Sequence, residues 1–76
     1  MFIFSKQNNT ILNTEQIVEI YVDEESTLYY HTVKNNDYSA DLFLAEYETP
    51  ERAQEILQQI FKAMKYEEKT FELPED

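Results

Sequence analysis

The sequence predicts an α+β domain, a four-stranded antiparallel meander followed by one C-terminal amphipathic helix packed on one sheet face. Two observations carry this expectation. Short segments rich in β-branched and aromatic residues alternate in polarity up to residue 47, and a single stretch beyond them switches to helical spacing behind a marked start. At 76 residues the chain has room for one domain and a modest core. We expect residues 1–66 to form the compact β-β-β-β-α unit and residues 67–76 to be an acidic tail, docked or disordered.

The helix is the clearest element. Thr49 followed by Pro50 fits an N-cap and first helical position, because proline's missing N–H costs nothing there and its fixed φ suits a helix. Ala53, Ile56, Leu57, Ile60, Phe61 and Met64 then recur at spacings of three and four, so all six are expected on one buried stripe. Glu51 in the first turn and Lys62 and Lys65 in the last complement the helix dipole.

Ahead of it, residues 2–6 form an apolar run that turns at Gln7-Asn8-Asn9 into Thr10-Ile11-Leu12. Residues 16–23, QIVEIYVD, give the strongest strand signal, and TLYYHTVK resumes the pattern after the polar turn Asp23-Glu24-Glu25-Ser26. A last strand, residues 40–47, delivers the chain to the helix cap. The chain has no glycine, so Asn8, Asn9, Asn35 and Asn36 are expected to fill the positive-φ positions of its turns.

One helix covers one face of such a sheet. Val18, Ile20, Val22, Leu28, Tyr30, Leu42 and Leu44 are expected beneath it, which leaves Ile17, Glu19, Tyr21, Tyr29, His31, Val33, Asp41 and Phe43 on the opposite face. Aromatic rings among polar groups are how interaction surfaces anchor a partner. Tyr21, Tyr29, His31 and Phe43 are therefore the candidate interaction residues, with a self-complementary homodimer as the commonest form of such contact.

Sixteen acidic residues against six basic give a net charge of −10, which argues against direct nucleic-acid or anionic-membrane binding and makes any charged partner a basic protein. The acids are spread along the chain, as on a solvated surface. The N-terminal apolar run is too short for a signal peptide or a membrane span, so a cytoplasmic protein is expected. With no cysteine there is no disulfide or thiolate metal site, and with no glycine no phosphate-cradling loop.

His31, the only histidine, would need an orienting carboxylate and a nucleophile to act as a base; Asp41 with Ser39 or Thr27 is the arrangement available. A solvated or hydrogen-bonded strand histidine is the simpler reading. Asp23, Glu24 and Glu25, with Asp37, lack the alternate spacing of a calcium loop. No enzyme, metal or cofactor is expected.

The run LAEYETPERAQEILQQI, preceded by QIVEIYVD, resembles a group of small uncharacterised proteins from Gram-positive bacteria and their phages. In that group a strand closing in Leu-x-x-Tyr leads through Thr into Glu-Arg-Ala and an amphipathic helix, matched here by Leu44, Tyr47, Thr49, Glu51, Arg52 and Ala53. The resemblance spans most of residues 2–64. It implies a compact α+β domain and a phage or mobile-element origin, and it supplies no site residues. Two functions from different classes follow: a small acidic protein–protein interaction module, homodimeric and without catalysis, or a nucleic-acid-mimicking inhibitor of a basic DNA- or RNA-binding protein such as a host defence protein.

Overall fold

A computed structural model describes residues 1–34, 37–38 and 41–75. The chain runs β1 (Phe2–Ser5), β2 (Thr10–Asn13), a 3-10 turn (Thr14–Gln16), β3 (Ile17–Val22), β4 (Thr27–Lys34), β5 (Asp37–Tyr38), β6 (Leu42–Glu46), α1 (Pro50–Lys65) and β7 (Thr70–Glu72). The class is α+β with one helix, but the strands do not form a single four-stranded meander. They divide into two sheets.

The N-terminal sheet has the order β2-β1-β7, with β1 antiparallel to β2 and parallel to β7. In the central sheet β4 is flanked by β3 and β6, both antiparallel, and the two residues of β5 pair with the far end of β4. The break between the sheets is local. Asn13 caps the 3-10 turn, its side-chain oxygen accepting from the Glu15 N–H at 3.0 Å, while the Thr14 N–H and hydroxyl both donate to the Met1 carbonyl. This turn deflects the chain out of the hairpin, so β3 begins a new sheet.

The segment after the helix completes the N-terminal sheet. Phe2 N–H donates to the Lys69 carbonyl and Leu73 N–H to the Phe4 carbonyl, both at 2.9 Å. Leu73 is buried, and the buried Tyr47 hydroxyl donates to the Pro74 carbonyl at 2.8 Å. The tail is therefore docked as a strand.

α1 starts as its sequence requires, with the Thr49 hydroxyl accepting from the Arg52 N–H at 3.1 Å and Pro50 in the first turn. Its buried stripe is Ala53, Ile56, Ile60 and Ala63, with Leu57 half-buried at the flank. Phe61 and Met64, expected on that stripe, remain 69% and 42% exposed. The helix is rolled so that the small Ala63 meets the core, which allows close approach and leaves the two larger side chains at one side. The core joins all three layers: Ile3 from the N-terminal sheet, Leu28, Tyr30, Leu44 and Ala45 from the central sheet, and Ile56 and Ile60 from the helix.

Two β-bulges alter which residues face inward. In β3 the register shifts between Ile17 and Glu19, so Ile17 packs against the core and Val18 is half exposed, the reverse of the alternation expected. In β6, opposite Leu28 and Tyr29, the shift lets adjacent Leu44 and Ala45 both be buried while Leu42 lies 37% exposed.

Positive φ falls at Asn9, Ser26 and Glu67, so asparagine does not hold every such position. Asn8 instead donates its side-chain amide to the Phe43 carbonyl at 2.9 Å, and Asn35 and Asn36 lie outside the described residues. Ser26 is buried in its turn, where the Asp23 Oδ1 accepts from the N–H groups of Glu25 and Thr27 and the Ser26 carbonyl accepts from Tyr47 N–H. Glu67 ends the helix: its N–H donates to the Met64 carbonyl and that of Glu68 to Ala63, the pairing of a Schellman motif whose left-handed residue is usually glycine.

Replacing Glu67 by glycine removes a side chain from a left-handed position and an anion from a helix C-terminus, and is expected to stabilise the fold by about 1 kcal/mol in chemical denaturation. Leu73→Ala empties a core site and is expected to cost about 2–4 kcal/mol by the same measurement, whereas an undocked tail would leave stability unchanged.

Candidate interaction face

The face of the central sheet turned away from α1 carries the four residues singled out in the sequence. Tyr21 on β3 pairs with Tyr29 on β4, and Tyr29 with Phe43 on β6, so one row of rings crosses all three strands. His31, two residues along β4, lies diagonal to Tyr21. The Tyr21 ring stacks on Tyr29 at 5.7 Å between centroids and 28° between planes, and on His31 at 5.5 Å and 19°. Offset ring pairs of this kind contribute about 0.5–1.5 kcal/mol each beyond area burial. They also hold the rings in place before any partner arrives. The Val33 side chain, expected on this face, lies outside the described residues.

Polar groups frame the row. Asp41 Oδ1 lies 2.9 Å from His31 Nε2, and Glu19 Oε1 lies 3.7 Å from the same nitrogen. The Tyr21 hydroxyl also hydrogen-bonds the Asp41 carboxylate. Partial loss of water around the phenol, reinforced by that bond and by the Asp41 charge, pushes the Tyr21 pKa up to about 12. At neutral pH Tyr21 is thus a hydrogen-bond donor and no nucleophile.

His31 has a carboxylate partner in Asp41, and of the two hydroxyl groups considered with it only Thr27 lies among the described residues. Thr27 is buried four residues away along β4, roughly 13 Å at strand rise, and Ser39 lies outside the described residues. Among the described residues no group of three histidine or carboxylate side chains is arranged to hold a metal ion. The Asp23 carboxylate already serves the turn backbone, and the Asp37 side chain lies outside the described residues.

A second surface escaped the sequence reading. The half-exposed Val18 and the exposed Phe61 and Met64 line an apolar groove of 370 Å³ between β3 and α1, with Ile17, Ile20 and Leu57 in its walls. Its signal was the breadth of the helical stripe, since six apolar positions are more than the narrow contact of one helix on a small sheet needs.

No family model, curated protein or solved structure matches the chain. No helix of the described residues is long and apolar enough to cross a membrane.

Tyr21 sets a measurable pH dependence. Its folded pKa lies above the ordinary phenol value near 10, so the folded state holds this proton more tightly and stability declines as pH rises from about 10 to about 12. Ultraviolet titration of the wild type minus Tyr21→Phe should place this phenol at about 12. Asp41→Asn should move the midpoint part of the way back; an unshifted midpoint in that variant would remove Asp41 as a cause.

Proposed function

We propose that the chain is a small acidic protein–protein interaction module without a catalytic role, which meets its partner through the Tyr21–Tyr29–His31–Phe43 face and forms a homodimer in the simplest case. The observation that supports this is the stacked ring row on the sheet face that the helix leaves bare. Rigid amphipathic rings lose little entropy on binding and combine apolar area with polar tips, which is why they anchor interfaces. A twofold axis over the row would place ring against ring and bury Phe43.

The alternative, imitation of a nucleic-acid backbone against a basic DNA- or RNA-binding protein, is favoured by one feature. Glu25, Glu46, Glu48 and Glu75 gather around a shallow depression beside Gln7 and Tyr47, on a chain of net charge −10. Binding of that kind weakens steeply with salt and is competed by DNA.

Sedimentation across a concentration series distinguishes them. The aromatic-face reading expects a dimer that Tyr29→Ala with Phe43→Ala converts to monomer, with circular dichroism unchanged and little dependence on salt. A monomer throughout, with retention of a host protein from lysate unaffected by the same two changes, would count decisively against it; retention abolished by salt and by added DNA would favour the mimic.

A further inference from the structure

The two outer edges of the central sheet are treated differently. Along β6 the outward backbone groups are taken up by side chains from the end of β1 and the turn that follows it: the Ser5 hydroxyl donates to the Leu44 carbonyl, the Asn8 amide to the Phe43 carbonyl, and the Gln7 side-chain oxygen accepts from the Glu46 N–H. β3 is bonded to β4 on one side, and among the described residues no strand lies on its other side. At six residues it is also longer than the edge strands β2 and β7 of the N-terminal sheet.

The apolar groove runs along this same edge. A strand added to β3 would alternate its side chains between the groove and the aromatic face. On the groove side it would meet Val18, Phe61 and Met64. On the other it would meet Tyr21 and Glu19, whose side chain is 60% exposed. Glu15 stands exposed just ahead of β3. A cation placed there gains from the carboxylates and from the Tyr21 ring face. A second copy of this chain would instead bring another net charge of −10 to the same edge.

We infer that β3 is a docking edge for an extended segment of a basic partner protein, one that alternates apolar and basic residues, adds as a strand beside residues 19–22 and seats its apolar side chains in the groove. This rests on the interaction-module reading and names the chemistry of the partner. The bulge at Val18 fits the role, because it ends regular pairing at one end of the edge and thereby limits how far an added strand can extend.

The test uses the full chain and three labelled peptides of equal length: alternating lysine and valine, alternating glutamate and valine, and the lysine–valine composition in blocks. Fluorescence anisotropy should show binding of the first, with affinity at least about tenfold weaker for each of the others. Amide shift changes in NMR should centre on residues 18–22. Phe61→Glu alters an exposed position and should cost about tenfold or more in affinity without loss of thermal stability, whereas Ile11→Glu, an equally exposed apolar position on β2 of the other sheet, should leave it unchanged. Peptide binding abolished by Phe43→Ala but not by Phe61→Glu would overturn the inference and leave the aromatic-face reading standing. Equal binding of all three peptides would also overturn it. So would a dimer that Phe61→Glu dissociates in a chain that binds none of them, since a second copy would then occupy the edge.

Discussion

The architecture depends on how the N-terminal hairpin closes the edge of β6. Ser5 and Leu44 are both fully buried, and the hydroxyl of one donates to the carbonyl of the other at 2.6 Å. A bare carbonyl at that depth would cost about 1–3 kcal/mol, and no water need enter to satisfy it. The bond also fixes where β1 lies. With Ser5 held against β6, Ile3 two residues earlier points into the core, and β1 presents its remaining edge to the segment that follows the helix. Gln7 and Asn8 extend the same closure along β6. A sheet too small to cover both its edges is thus finished on one of them by Ser5 at the end of β1 and by two side chains of the turn after it.

The absence of glycine governs the rest of the backbone. Among the described residues the left-handed positions fall at Asn9, Ser26 and Glu67, where the surrounding bonds hold them. Around Ser26 the Asp23 carboxylate binds two N–H groups, and Tyr47, just beyond β6, contributes a third contact through its N–H. Conformations that a glycine would take freely are here held by bonds within a few residues, with Tyr47 N–H adding a contact at Ser26 from far along the chain. The bulges obey the same logic, since each sits where packing gains more than the lost ladder bond costs: Ile17 joins the core at one, and Leu44 with Ala45 at the other.

This explains which parts of the molecule were legible in the sequence. The helix start was readable because Thr49 and Pro50 act locally, on N–H groups within one turn. β4 was readable from its own composition, and the placement of Tyr21, Tyr29, His31 and Phe43 on one face followed from alternation within regular stretches of strand. What failed was non-local. A one-residue bulge exchanges Ile17 and Val18 without any local sequence mark, the roll of the helix depends on which of Ala63 and Phe61 the sheet admits, and parallel pairing of β7 with β1 joins residues nearly the whole chain apart. The division into two sheets was missed because the residues between Leu12 and Gln16 were given no role, whereas the Asn13 side chain there caps a 3-10 turn that redirects the chain.

The surfaces left over follow from these constraints. A helix rolled to admit Ala63 cannot also bury Phe61 and Met64, and a bulge that brings Ile17 inward must turn Val18 outward. Both displacements fall along β3, the edge that no side chain of the first turn reaches. The apolar groove is therefore a residue of packing that selection was free to retain or to remove, and a single polar substitution at the exposed Phe61 would have removed it at little cost to the core. An apolar, open strand edge is an aggregation hazard that proteins ordinarily blunt with charge or cover. Here β6 is covered, while on β3 the alternation carries Glu19 and Tyr21 to one face and leaves the other apolar. That contrast between two edges of one sheet is the physical ground for reading β3 as a surface kept open for a partner.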